Sequence, residues 1–292
     1  MRTHRWILGL LPASLLATVV VGGVQPASAS LAWADDPCEE NGGQVAVVPD
    51  KAAAAAASHP IAYVACGDGS LLYHGEDGKG TNYKIPEVDT DDFVDVASTT
   101  NHGMYALTRY GRIETVHGAT HLGELASSAD SVALETTPSG QGYWIVTAAG
   151  HVAGFGDAND LGPQEDTTVH SPVVAFAPHG TTGGWVVTAL GEVVAVGNAP
   201  DHGGVAGRVG QNDRVVGIVA DRSSNGFWVV TRGGHILEAG GAAAEPDAAK
   251  CQSEPGGQPP FTGAVADPDP NSRAPLWIYS ANGGICGFNP GA

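Results

Sequence analysis

Gly142-Tyr143-Trp144-Ile145-Val146-Thr147-Ala148-Ala149-Gly150-His151-Val152 returns as Gly184-Trp185-Val186-Val187-Thr188-Ala189-Leu190-Gly191-Glu192-Val193, and again as Gly226-Phe227-Trp228-Val229-Val230-Thr231-Arg232-Gly233-Gly234-His235-Ile236. Aligning the chain on itself extends the aromatic column to Tyr63, Tyr105, Trp144, Trp185, Trp228 and Trp277, separated by 42, 39, 41, 43 and 49 residues. A period near 40 residues is that of β-propeller blades. Upstream of each aromatic lies a run of small and β-branched residues, such as Val94-Asp95-Val96-Ala97, Val132-Ala133-Leu134 and Val173-Val174-Ala175-Phe176. Such residues suit an innermost strand, where blades converge and large side chains would collide. Downstream, a glycine stands just before the next strand in Arg109-Tyr110-Gly111, Ala148-Ala149-Gly150 and Ala189-Leu190-Gly191. A short hairpin needs a residue with positive φ there, which glycine supplies without a Cβ clash.

These signals predict an all-β chain: a six-bladed rather than seven-bladed propeller of four-stranded blades. The blades cover approximately 45–88, 89–127, 128–167, 168–210, 211–255 and 256–292. The fourth strand is weakly marked, in stretches such as Thr81-Asn82-Tyr83-Lys84-Ile85 and Gly203-Gly204-Val205-Ala206. No segment sustains an apolar i, i+3, i+4 pattern. Polyalanine 52–57 reads as a short helix or loop inserted in the first unit. The sixth unit stops after its third strand, so residues 31–35 are expected to supply the missing outer strand and close the ring, because an open ring would leave unpaired edges.

The first 29 residues read as a secretory signal: Arg2 and Arg5, an apolar run from Trp6 to Val24, then Ala27-Ser28-Ala29 before cleavage. Residues 30–292 then form one domain, secreted or at the cell surface, with no later membrane span. The formal charge of −18 becomes more negative still without the leader, which disfavours nucleic acid and anionic lipid as partners. Cys38, Cys66, Cys251 and Cys286 are an even set, and two disulfides are the default in an exported chain. Cys38–Cys66 with Cys251–Cys286 is the preferred pairing, and Cys38–Cys286 with Cys66–Cys251 the rival.

Residues 142–158 resemble a repeat common in exported actinobacterial proteins, approximately GYWLVASDGGVFAFGDA. Residues 172–199 follow the same pattern with Gly197-Asn198-Ala199 in place of Gly-Asp-Ala. The resemblance is good in three units, blurred in the others, and spans about 45–288. It implies propeller blades in a scaffold at or outside the cell surface, and transfers no catalytic residues.

The residue after each turn glycine varies while its surroundings do not: Ser70, Arg112, His151, Glu192, His235 and Gly284. Arg112, His151, Glu192 and His235 are therefore the candidate ligand-binding set, against the plainer reading of solvated turn residues. Inter-blade packing outweighs sugar stacking for the aromatic column, and Trp33 and Tyr110 are the better sugar-stacking candidates. Eleven histidines form no HExxH or His-x-x-x-His pair, and Asp89-Thr90-Asp91-Asp92 and Glu76-Asp77-Gly78 lack calcium-loop spacing, so neither metal nor cofactor is expected. Gly-x-Ser-x-Gly and Cys-x-x-Cys are absent. The expected role is a binding scaffold for an envelope polysaccharide or an exported protein; the alternative is an extracellular lyase or hydrolase working from the polar ring.

Overall fold

The computed structural model describes residues 93–101, 103–126, 130–162, 169–244, 259–267, 276–280 and 284–288, together with the backbone of residues 30–32, 44–49, 62–66, 70–74 and 80–84. Residues 1–29, polyalanine 52–57, Trp33 and the acidic stretches at 76–78 and 89–92 lie outside the described residues.

Among the described residues the strands form six antiparallel sheets. The first holds β2 (Gln44–Pro49), β3 (Ala62–Cys66), β4 (Ser70–His74) and β5 (Gly80–Lys84), and the second β6 (Phe93–Ser98), β7 (Met104–Thr108) and β8 (Ile113–Val116). Then come β9 (Ser131–Thr136), β10 (Gly142–Thr147) and β11 (Val152–Gly156), followed by β12 (Val173–His179), β13 (Gly183–Thr188) and β14 (Val193–Gly197). The fifth sheet is β15 (Val215–Ala220), β16 (Phe227–Thr231) and β17 (Ile236–Ala239). The sixth is β18 (Phe261–Ala266), β19 (Leu276–Ser280) and β20 (Gly284–Phe288), to whose outer edge β1 (Ser30–Ala32) adds. The pairs are Ser30 with Cys286, Leu31 with Ile285 and Ala32 with Gly284. The expected outer strand at 31–35 is thus met at residues 31–32 and begins one residue earlier, residues 33–35 lying outside the described residues.

First strands contact one another in order, β2 with β6, β6 with β9, β9 with β12, β12 with β15, β15 with β18, and β18 with β2. Each carries one extra residue against its partner, at positions 45, 94, 132, 174, 216 and 262. Such a bulge bends the strand and increases its twist.

The second strands explain the aromatic column. In β10, Trp144 and Val146 pack forward on Phe176 and Val186 of the next sheet, while Tyr143 and Ile145 pack backward on Tyr105 and Leu107. In β16, Trp228 and Val230 face forward to Phe261, Leu276 and Ile278, and Phe227 and Val229 face back to Trp185 and Val187. Alternation along a strand thus gives these sheets two buried faces, so their second strands read as continuous apolar runs. Three indole N–H groups also meet a carbonyl fifteen residues downstream, Trp144 to Asn159, Trp185 to Pro200 and Trp228 to Ala243, all at 2.8 Å, whereas Trp277 donates to the Asp267 carboxylate at 3.1 Å. Tyr105 donates its hydroxyl to Thr120, again fifteen residues on, at 3.0 Å.

Among the described residues the second to fifth sheets have three strands each, and in the second and fourth the expected fourth strand is not formed by the described residues that follow the third. Gly203-Gly204-Val205-Ala206 is no strand: Gly203 has φ 69°, and Ala206–Arg208 is a single 3-10 turn. The Val205 N–H goes to Gly191 O at 2.8 Å, so this segment folds under the β13–β14 hairpin instead of pairing along β14.

Trp185 is 1% exposed, whereas Leu190 is 46% exposed. Trp185→Ala should therefore cost about 3–5 kcal/mol and Leu190→Ala under about 0.5 kcal/mol in denaturant unfolding. Equal midpoints for the two variants would contradict the packing described here.

Candidate functional site

Arg112, His151, Glu192 and His235 each stand immediately before a third strand, with a turn glycine ahead at φ 85°, 91°, 86° and 90° respectively. A threonine four residues earlier fixes each of them. Thr108, Thr147, Thr188 and Thr231 receive the backbone N–H of these residues on Oγ1 at 3.0–3.2 Å and donate their own N–H to the matching carbonyls at 2.9–3.0 Å. The slot is held rigidly by a residue that repeats, and filled by one that does not.

The four side chains are not brought together. No hydrogen bond or ion pair joins any two of them: Arg112 pairs with Glu114, and Glu192 with His170 at 3.1 Å. The Glu192 carboxyl is held low, first by the His170 N–H and then by its ring. His235 lies near Asp213, whose carboxyl is lowered although desolvation opposes it, because the Thr231 hydroxyl and the Arg214 and Gly233 N–H groups donate to it. Radial position explains the dispersal. A third strand sits two strand spacings, roughly 10 Å, outward from the first, so slots on different sheets diverge. Ser70 and Gly284 occupy the same place in the first and sixth sheets. Tyr110 is 50% exposed at the tip of the β7–β8 hairpin.

The residues that converge are on the first strands. A channel of about 100 Å³ runs among β6, β9, β12, β15 and β18, lined by the bulge residues Val94, Val132, Val174, Val216 and Thr262. At the level beyond the bulge stand Asp95, Ala133, Ala175, Gly217 and Gly263, small in every described sheet except the second. A Cβ on Gly217 would lie 2.8 Å from that of Ala264, which shows how closely the strands approach. Asp95 uses its extra atoms to cross between sheets. Its Oδ2 accepts the Leu134 N–H at 2.8 Å and its Oδ1 the Val96 N–H at 2.9 Å. Burial nevertheless pushes its carboxyl from 3.8 up to about 7, the two N–H donors opposing that rise.

Where the first strands end, the channel widens into a cavity of about 510 Å³, whose walls are Pro138, Ala177, Pro178, Val219, Ala220, Val265 and Ala266 with the charged Glu135 and Arg222. This mouth is at the end of the first-to-second-strand turns, opposite the end that carries the four slot residues. In the third sheet that turn is tied down by the Gly-Asp-Ala motif: Asp157 accepts the hydroxyls of Thr137 at 2.8 Å and Ser139 at 2.5 Å. Trp144, Trp185 and Trp228 are 0–1% exposed and present no ring to a ligand. No group of three or more His, Cys, Asp or Glu suited to a metal occurs among the described residues.

No family model matches the sequence, and no curated protein matches it. Among solved structures, a chain of the mitotic checkpoint complex superposes with a TM-score of 0.54 at 12% identity, over 80% of this chain and 74% of that one. YCF48 from Cyanidioschyzon merolae superposes with a TM-score of 0.51 at 9% identity, over 90% and 99%. A catalytically inactive virginiamycin B lyase from Staphylococcus aureus gives a TM-score of 0.49 at 11% identity, over 87% and 81%. The fold is that of a β-propeller.

In this propeller side chains of different sheets converge on the first strands, inward of the four slot residues. Asp95 stands inside an apolar first-strand run, between Val94 and Val96, whereas the other first-strand charge, Glu135, stands near the end of β9. A carboxyl raised in the folded state contributes stability that is complete below about pH 4 and is lost as pH rises through about 7. The native protein should lose on the order of 1–3 kcal/mol across that window, and Asp95→Asn should flatten the loss. Thermal melts of both proteins from pH 4 to 8 measure it; parallel curves would contradict the assignment.

Proposed function

We propose that this chain is an exported, six-bladed propeller, closed by β1, that binds a segment of another exported protein at the mouth of its axial cavity. The observation that carries the reading is the mouth itself: an apolar funnel built by four sheets, with one carboxylate and one guanidinium at its wall. Apolar walls with a few polar groups are the usual form of a binding site. Trp144, Trp185 and Trp228 are buried and the exposed Tyr110 stands at the opposite end, so none of these rings offers a stacking platform at the mouth, which favours a protein segment over a glycan there. The negative chain remains a poor partner for nucleic acid. An enzyme working from Arg112, His151, Glu192 and His235 would need concerted hydrogen bonding, and no two of the four are bonded to each other. The leader at 1–29 and its cleavage after Ala29 belong to this proposal.

A photocrosslinking residue at Gly180 or Ala266, incubated with the exported proteins of the same cells, should yield one discrete adduct that Arg222→Glu diminishes. The same residue at Ala149, on the opposite end, should not. Equal adducts from both ends would count against the mouth.

The disulfide pairing belongs here too. Among the described residues no cysteine is free, and Cys286 is disulfide-bonded. Its side chain is 2% exposed in the cluster with Val219, Trp228 and Ile236, so it faces the fifth sheet. Cys251 belongs to the connection between β17 and β18, and Cys38 precedes β2 on the other side of the sixth sheet. This favours Cys251–Cys286 with Cys38–Cys66. Non-reducing peptide mapping should recover both, and a Cys38–Cys286 peptide would refute them.

A further inference from the structure

The fourth and fifth sheets fasten the hairpin between their second and third strands differently. In the fifth, Asp213 lies two residues before β15 and accepts the Gly233 N–H of the hairpin at 2.9 Å. The corresponding residue of the fourth sheet is Ser171, two residues before β12. Its hydroxyl is buried and has no hydrogen-bond partner. The latch is made instead from the slot: the Glu192 carboxylate accepts the His170 N–H at 2.9 Å and the His170 Nδ1–H at 3.1 Å. Ser171 is thereby left with nothing to hold.

These three residues share a cavity of about 450 Å³ with Leu190, Val193 and the segment 204–207. Its floor is fixed, since a Cβ on Gly204 would lie 2.8 Å from Gly191 O and 3.0 Å from Val193 N. The polar groups offered are acceptors. Glu192 is ionised, with one N–H on each oxygen and lone pairs remaining. In the tautomer whose Nδ1–H donates to Glu192, His170 Nε2 is an acceptor on a side chain that is 80% exposed. The Ser171 hydroxyl adds a third. No hydrogen bond links Ser171 to the His170 ring, so the cluster is not a nucleophile and its base.

We infer that the cavity under the β13–β14 hairpin is a binding site for a primary ammonium group, its N–H donors taken by Glu192, His170 and Ser171 and its aliphatic stem lying against Leu190 and Val193. The site is independent of the axial mouth and lies at the other end of the molecule. An overall charge of −18 raises the local concentration of such cations.

Titrating the purified protein with n-butylammonium chloride while observing the His170 ring and Ser171 amide by NMR tests this. Saturable shifts are expected, absent with tetramethylammonium chloride, which has the charge but no N–H donor. Ser171→Ala keeps the Glu192–His170 latch and should weaken binding about 2–10-fold. Glu192→Gln should weaken it by about 10-fold or more. D-glucosamine and a lysine amide then separate an amino sugar from a protein side chain as the natural source. No saturable shift, equal shifts with tetramethylammonium, or unchanged affinity in Ser171→Ala would overturn the site.

Discussion

Everything in this molecule depends on second strands that bury both faces at once. Trp144 reaches forward and Tyr143 back, Trp228 forward and Phe227 back, so no sheet among them owns a complete hydrophobic core. Each sheet completes its neighbours, and stability is a property of interfaces between repeats more than of the repeats themselves. The indole N–H bonds to carbonyls fifteen residues on add a constraint that packing alone would not: they fix how each unit's outer segment returns across its own sheet.

The parts of the structure that repeat were legible in the sequence, because repetition multiplies a weak local signal. The aromatic column, the small first strands and the positive-φ glycines all fall where periodicity places them. Thr108, Thr147, Thr188 and Thr231 repeat as well, but a threonine in a β-branched run looks like strand propensity, and its capping of the next hairpin emerges only from the bonds. The fourth strand was misread in the fourth sheet because Gly203-Gly204 marks a close approach under a hairpin, which in one dimension resembles a weak strand.

The candidate site was legible in kind and not in place. Searching for the column that varies within a constant frame found Glu192, which does face a cavity. It did not show that the column lies two strands out from the axis, since radial distance leaves no trace in a repeat alignment. Asp95 and the unpartnered Ser171 carry the complementary lesson. Each is an ordinary residue made unusual by what other units have at the same position, Ala133 or Gly217 in one case and Asp213 in the other.

The pairing of β1 with β20 joins residues more than 250 positions apart through three residue pairs. Contacts between neighbouring sheets form over short stretches of chain, but this one must confine nearly the whole polypeptide before it returns any hydrogen bond. Among the described strand pairs it therefore carries the largest loop-closure cost. Cys286, which pairs with Ser30 across this seam, is itself bonded through sulfur, so a covalent restraint lies beside the pairing that spans the most chain.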